Sequence, residues 1–528
     1  MNRLLVLVAL FPLALLGCKK ELTCPVGQVA CGGVCVGLGN DAANCGACGV
    51  ACGARSVCAA GSCECAAGTT ACVGACVDLS SDPTHCGACG TACGGATPAC
   101  ATGGATACVA ACPPGLDACG LACVDRQRDR FNCGACGVAC QAGQACRDGA
   151  CHADLQVACA ATGEILAVDA ALRPAGVGRP VGFFTTALEV LGGAVYATSG
   201  FPATVDLVPL DASVTLPASK VVLGGNDLEG IDAHDNVVFV ANAGAGTVVI
   251  MAADGTVLDE VPMPGQQAGP NPRSTAFVGD KAYVALGGSD ATSGQAVAVL
   301  DLSGLPACVA EAAPPACGAG GSCAADRHRV DGACRLHCAA LSKTIDLRAV
   351  SGAADAPGAP FPSKALAVGN KVYVTLGNLK FVDFGGGFAG WFQPAGSGRL
   401  AVIDTARADA VGVVDLGASC GNPGGLSASG GNLWVACGSL SFSAEWPGRV
   451  LPISLAAAPA VGAALDPAPL VPNGVGICGG VGYPPDMNSG NIRTFDPATR
   501  TLGGSVEVCP LSAGPSPFAY VGAIACTP

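Results

Sequence analysis

Charge and aromatic rings are scarce in this chain of 528 residues: charged side chains make up 12% and aromatic ones 4%. What charge there is leans acidic, with 26 Lys+Arg against 39 Asp+Glu and a net charge of −13. An acidic surface without a basic stripe repels phosphate backbones, and so few rings cannot build a stacking platform, so nucleic acid is excluded as a partner. Beyond the extreme N-terminus no run of about 18 apolar residues occurs, so no later helix should span a membrane. No C-x-x-C-H string is present, which excludes covalently attached haem. Helical 3.6-residue periodicity is nearly missing after residue 154, so amphipathic helices should be rare there.

Cysteine and glycine fill the space that those residues leave, with 36 Cys and 78 Gly. Twenty-five of the Cys precede residue 152. Such density points to an oxidising compartment. The spacing Cys31-x3-Cys35-x9-Cys45-x2-Cys48-x3-Cys52 recurs at Cys72, Cys76, Cys86, Cys89 and Cys93, and again at Cys119, Cys123, Cys133, Cys136 and Cys140. With one flanking Cys before each set and two after, three units of eight are defined: 24–63, 65–108 and 112–151. Between residues 24 and 151 the only leucines and aromatics are Leu38, Leu79, Leu116, Leu121 and Phe131. That is too little apolar surface to offset chain entropy, so cross-links must substitute for a core, each contributing about 2–4 kcal/mol. Eight Cys allow 105 pairings, so the sequence leaves connectivity open. Zinc or redox chemistry at the repeated Cys-Gly-Ala-Cys is the competing reading. Asp41, Asp82 and Asp129 hold equivalent places and suit Asx turns; calcium ligation is the alternative.

Arg3 followed by the apolar run Leu4–Leu16 has the form of a signal-peptide core. It ends in Leu15-Leu16-Gly17-Cys18, which resembles the lipobox of bacterial lipoproteins. The resemblance implies removal of residues 1–17, a diacylglycerol anchor on Cys18, a linker over 18–23 and, with Lys19 after the Cys, an outer-membrane or cell-surface location. The repeat pattern C-x3-C-V-x-L-x2-D-x2-N-C-G-x-C-G-x2-C resembles the stigma-specific protein family of secreted plant Cys-rich proteins, which implies an extracellular interaction module. Unit two departs from it with His85 for Asn, and unit three with Arg126 for Leu.

Residues 155–528 read as many short strands. An apolar strand recurs as Ala194–Ala197, Val237–Val240, Ala282–Ala285, Val372–Thr375 and Leu433–Ala436. A Gly-rich gap and then a strand ending in Asp recur after it, as at Ala298–Asp301 and Ala401–Asp404. This resembles the YVTN or NHL type of β-propeller repeat. The expected fold class is all-β: a seven-bladed propeller behind an irregular disulfide-rich region, with blades beginning near residues 187, 231, 276, 365, 426 and 475. The seventh blade should form when the first half of a blade at Ala519–Ile524 zips onto a second half at Gly163–Asp169. A pair of β-sandwiches is the competing architecture. Equal spacing pairs Cys420 with Cys437 and Cys509 with Cys526. A Cys-rich insertion at 308–338, holding His328 and His337, should split one blade between its third and fourth strands. It reads as a small disulfide loop, with a zinc knot as the alternative. Seven Cys then remain, an odd number, so at least one thiol stays free or pairs elsewhere.

Because aromatics are rare, their clustering suggests a ligand-binding rim: Phe381, Phe384, Phe388, Trp391 and Phe392 in one inter-strand gap, Phe442 and Trp446 in the next, and Tyr483 beyond. A self-packed loop is the alternative. Gly417–Gly421 matches G-x-S-x-G and Gly474–Gly479 matches G-x-G-x-x-G, but both lack the helix those motifs need. The expected function is a non-catalytic surface scaffold for a protein or glycan, with no catalytic residue, no metal and no cofactor beyond the lipid. The alternative is a metal-dependent propeller lactonase, to which Asn226, Glu229 and Asp232 bear a loose resemblance.

Overall fold

The computed structural model describes the chain from Val29 to Thr527 apart from scattered stretches, the longest being 39–43, 211–219, 289–294, 351–358, 383–390, 439–447 and 510–520. Cys18 and the residues before it lie outside the described residues. No helix among the described residues is long and apolar enough to cross a membrane.

Seven antiparallel sheets succeed one another and form the blades of a closed β-propeller. Blades one to six begin with the inner strands Thr185–Leu191, Leu228–His234, Pro272–Val278, Pro362–Val368, Pro423–Ser429 and Gly476–Cys478. Tight turns join several of these to their second strands. Gly192–Gly193, Asp235–Asn236, Gly430–Gly431 and Gly479–Gly480 all take positive φ at both positions, the backbone that matches strand twist in a two-residue hairpin. Blade five has three regular strands; its outer edge is completed by isolated bridges Val450–Leu465 and Ile453–Val461.

The scarce aromatics are spent on one position. The third residue of the second strand is Tyr196, Phe239, Tyr283, Tyr373, Trp434 and Tyr483 in blades one to six, and each is essentially inaccessible to solvent. Each wedges between neighbouring blades. Three hydroxyls also reach the following blade: Tyr196 donates to the carbonyl of Ala253, Tyr283 to Asp409 at 2.8 Å, and Tyr483 to the carbonyl of Ala170 at 3.1 Å. Tyr483 is therefore a core wedge, which corrects its expected place on a ligand rim. Its strand is short and lacks the apolar run that marks the other five.

The ring closes three strands to one, not half to half. Val521–Cys526 forms the innermost strand of blade seven and pairs with Leu155–Cys159, after which come Glu164–Val168 and Pro174–Pro180. That assignment overturns the expected Cys509–Cys526 bond. Cys420, after the outer strand of blade four, bonds Cys437 at the end of the second strand of blade five, as expected. Cys509 does the same with the next blade, but there the second strand is Leu155–Cys159, so its partner is Cys159. Cys526 instead bonds Cys478, at the end of the neighbouring inner strand. Two disulfides thus weld blade six to blade seven.

In the Cys-rich region, units two and three share one connectivity. Cys65–Cys76, Cys72–Cys89, Cys86–Cys100 and Cys93–Cys108 match Cys112–Cys123, Cys119–Cys136, Cys133–Cys146 and Cys140–Cys151. In unit one, Cys31–Cys48 and Cys52–Cys63 follow the same rule. The two Cys of each Cys-Gly-Ala-Cys go to different partners, which removes the redox-pair reading. Asp82 and Asp129 accept the backbone N–H two residues on, at 2.8 Å each, as Asx turns do; Asp41 lies outside the described residues. The departures from the repeat pattern are neutral in geometry. Asn44 and Asn132 accept the N–H of Gly49 and Gly137 through side-chain oxygen, and the Nδ1 of His85 accepts that of Gly90 at 2.9 Å. Arg126 keeps the backbone bond of the Leu it replaces, accepting Gly134 N–H at 2.8 Å as Leu79 accepts Gly87, and pairs its guanidinium with Asp117.

Candidate ligand-binding site in the channel mouth

Four inner strands shift register by a β-bulge near their start: between Thr185 and Ala187, Leu228 and Gly230, Pro272 and Ser274, and Pro423 and Gly425. The strand of blade four shifts between Pro362 and Ala365. A bulge breaks the ladder and re-aims the extra residue. The residues so displaced are Thr186, Glu229, Arg273, Gly424 and the pair Ser363–Lys364, and all of them line one cavity of about 520 Å³ at the channel mouth. The ring of bulges is thus what builds the site.

Its two arcs differ. Blades one to four supply charge. Glu229 pairs with Arg273 at 3.0 Å, and Lys364 with Asp232 at 3.1 Å. Asp232 is further held by the N–H of Thr275 at 2.7 Å. Glu189, also on the wall, forms no ion pair among the described residues. Burial above all, then the negative charge of Asp232, pushes its carboxyl up to about 7, against the pull of Lys364. Burial and then Glu229 raise nearby Asp227, opposed by Arg273. Blades five to seven supply mostly backbone, with Gly424, Gly425, Gly474, Gly476 and Gly522 on the wall. Two of these glycines are required sterically. A Cβ on Gly425 would meet the Cα of Gly474 at 2.6 Å, and one on Gly522 the carbonyl oxygen of Thr185 at 2.1 Å.

The residues expected from sequence are divided by the structure. Glu229 faces the cavity and Asp232 stands behind it; Asn226 lies outside the described residues. No group of three His, Cys, Asp or Glu ligands forms in the channel among the described residues, and Glu229 and Asp232 are each paired with a cation instead. Phe381 and Phe392 are paired across a hairpin, Leu379–Val382 with Trp391–Pro394, inserted between the second and third strands of blade four; Trp391 faces Val382 in the same ladder. Phe384, Phe388, Phe442 and Trp446 lie outside the described residues. Glu189, Arg273 and Lys364 were not anticipated. For the two cations the signal is a charged residue near the start of an inner strand, in Pro272-Arg273-Ser274 and Pro362-Ser363-Lys364.

The insertion between Ala296–Asp301 and Ala340–Asp346 of blade three is stapled by Cys308–Cys338 and Cys323–Cys334. Cys317 keeps a free thiol, the odd one among the seven left over.

Fold and site together define a class: a closed seven-bladed β-propeller behind a disulfide-stapled repeat region. Among solved structures the chain is similar to streptogramin B lyase, at 12% identity over 61% of this chain and 82% of that one, TM-score 0.40. It is also similar to virginiamycin B lyase from Staphylococcus aureus with Quinupristin, at 11% over 62% and 86%, TM-score 0.40. A third is apo AztD from Citrobacter koseri, at 11% over 71% and 98%, TM-score 0.38. At these values the propeller assignment rests on the chain's own sheet topology, and none of the three assigns an activity. No protein-family model and no curated protein matches the chain. The likeness of the repeats to stigma-specific proteins, and of Leu15–Cys18 to a lipobox, is therefore one of motifs alone.

Proposed function

We propose that the protein is a non-catalytic, lipid-anchored surface scaffold whose propeller binds a small hydroxylated ligand, such as a sugar unit of a glycan, in the channel mouth. The observation that carries this reading is the ring of bulges. It aims a hydroxyl, a carboxylate, a guanidinium and an ammonium at one cavity, opposite a wall of glycines that leaves room for the ligand. Paired carboxylates and cations offer both acceptors and donors to neighbouring hydroxyls. The motif at Cys18 supports the anchor, and the stapled repeats would space the propeller from the membrane.

A panel of mono- and disaccharides should be screened by saturation-transfer NMR against the wild-type chain and an Arg273→Gln/Lys364→Gln variant. Binding of at least one sugar that the variant loses is expected; no binding by the wild type, or equal binding by both, contradicts the proposal. The lactonase reading gains only if Ca²⁺-dependent hydrolysis of a lactone appears and Glu229→Gln abolishes it.

A further inference from the structure

The chain has only five His, and two of them meet in the insertion of blade three. His328 lies in the hairpin Arg327–Val330/Ala333–Leu336, where it pairs with Arg335, and His337 directly follows the hairpin's second strand. His337 lies two residues beyond Arg335, which puts both His on one face, and their rings stack with centroids 4.3 Å apart. That face lies against Asp259, in the outer strand Val257–Pro262 of blade two. The Nε2 of His328 is 2.8 Å from Oδ1 of Asp259, and the Nδ1 of His337 is 3.8 Å from the same oxygen.

We propose that Asp259, His328 and His337 form a site for a divalent transition-metal ion of the zinc class. One ligand atom from each lies within 4.8 Å of the other two, a spread that small ring rotations close to coordinating geometry. Two imidazoles and one carboxylate, with a fourth position left to water, are a donor set that zinc takes. The carboxylate is prepared for the role. Asp259 is completely buried, and its Oδ2 is oriented by the N–H groups of Cys338 at 2.7 Å and Ala339 at 3.3 Å. His328 supplies the second, independent sign. Its ring is mostly buried, yet neither nitrogen has a hydrogen-bond partner among the described residues, and its approach to Asp259 lacks hydrogen-bond geometry. A buried imidazole left in that way is costly unless something else takes its lone pair. His337 is half exposed, which provides the entry path. Around the site, Cys308–Cys338 and Cys323–Cys334 fix the insertion, and Glu311 pairs with Arg327 and accepts the N–H of Leu336, so the two His are positioned before any ion arrives.

The test is binding of Zn²⁺, followed by calorimetry, and of Co²⁺, followed by its d–d absorption, to the full chain with disulfides intact. One equivalent should bind. His337→Ala, at a half-exposed position that the fold tolerates, should weaken binding more than about 100-fold, beyond what loss of an outer-shell partner costs. Asp259→Asn should do the same, and if that buried change unfolds the chain, His337→Ala decides alone. Cys317→Ser should bind as the wild type does. No metal uptake by the wild type, unchanged uptake by His337→Ala, or loss of uptake in Cys317→Ser would overturn the site; the first outcome leaves Asp259 and His328 as a plain latch.

Discussion

The front region and the propeller meet the same demand, to beat chain entropy, by opposite means. From 65 to 151 the buried apolar positions are mostly half-cystines, including Cys72, Cys86, Cys100, Cys123 and Cys133, with Val77 and Val124 beside them. Units two and three each close on themselves through four disulfides, so shape is held by restricting the unfolded chain. In the propeller the second strands Ala194–Ser199 and Val237–Asn242 are buried along their whole length, and one aromatic wedge per blade fills each interface for six blades. There packing does the work, and among the described residues disulfides appear only at seams between blades and in the insertion of blade three. A scarce resource, the aromatic ring, is placed where adjacent blades pack, and the abundant one, cysteine, where no core exists.

The seams allow the comparison to be sharpened within one fold. Cys159–Cys509 and Cys420–Cys437 occupy the same slot between adjacent blades, yet span 350 and 17 residues. Loop-closure entropy then assigns about 6 kcal/mol to the first and about 3 kcal/mol to the second. Removing each pair as a double Cys→Ser variant and measuring unfolding in denaturant should show the closing seam to be the costlier by roughly that difference. Equal losses would mean that closure rests on packing at the seam as well.

A smaller effect separates the charged arc of the channel from its glycine arc. Glu189 keeps its proton to about 7 when folded and to about 4.5 when unfolded. Between those values the folded chain holds the extra proton, so stability from this group is full below about 4.5 and declines as pH rises through about 7, by up to about 3 kcal/mol. Glu189→Gln should flatten that decline in a series of melts from pH 4 to 8, and an unchanged slope would show that water reaches the carboxyl.

Much of the architecture was legible because a blade repeats. The strand Val237–Val240 and its four counterparts located the second strands, and the six inner strands begin within four residues of the expected positions. Legibility failed where the chain is not contiguous. The 17-residue spacing of Cys420 and Cys437 recurs at Cys509 and Cys526, but in blade seven the second strand comes from the far N-terminal side, so Cys159 takes the slot. Tyr483 escaped because Val481–Tyr483 is too short to show a period. At the site, Glu229 and Asp232 were visible as acids in an apolar strand, whereas their cations, Arg273 and Lys364, come from the next two blades and meet them only when bulges turn inner strands toward the axis. Connectivity in the repeats was hidden for a combinatorial reason, and the shared rule emerges only from three-dimensional proximity.

The central claim, that covalent cross-links hold the front region and packing holds the propeller, is tested most directly by hydrogen exchange on the whole protein before and after mild reduction. The account predicts that amides across 65–151 lose their protection together on reduction while those of Val237–Asn242 keep theirs. Repeats that stay protected without their disulfides, or blade-two amides that open along with them, would contradict it.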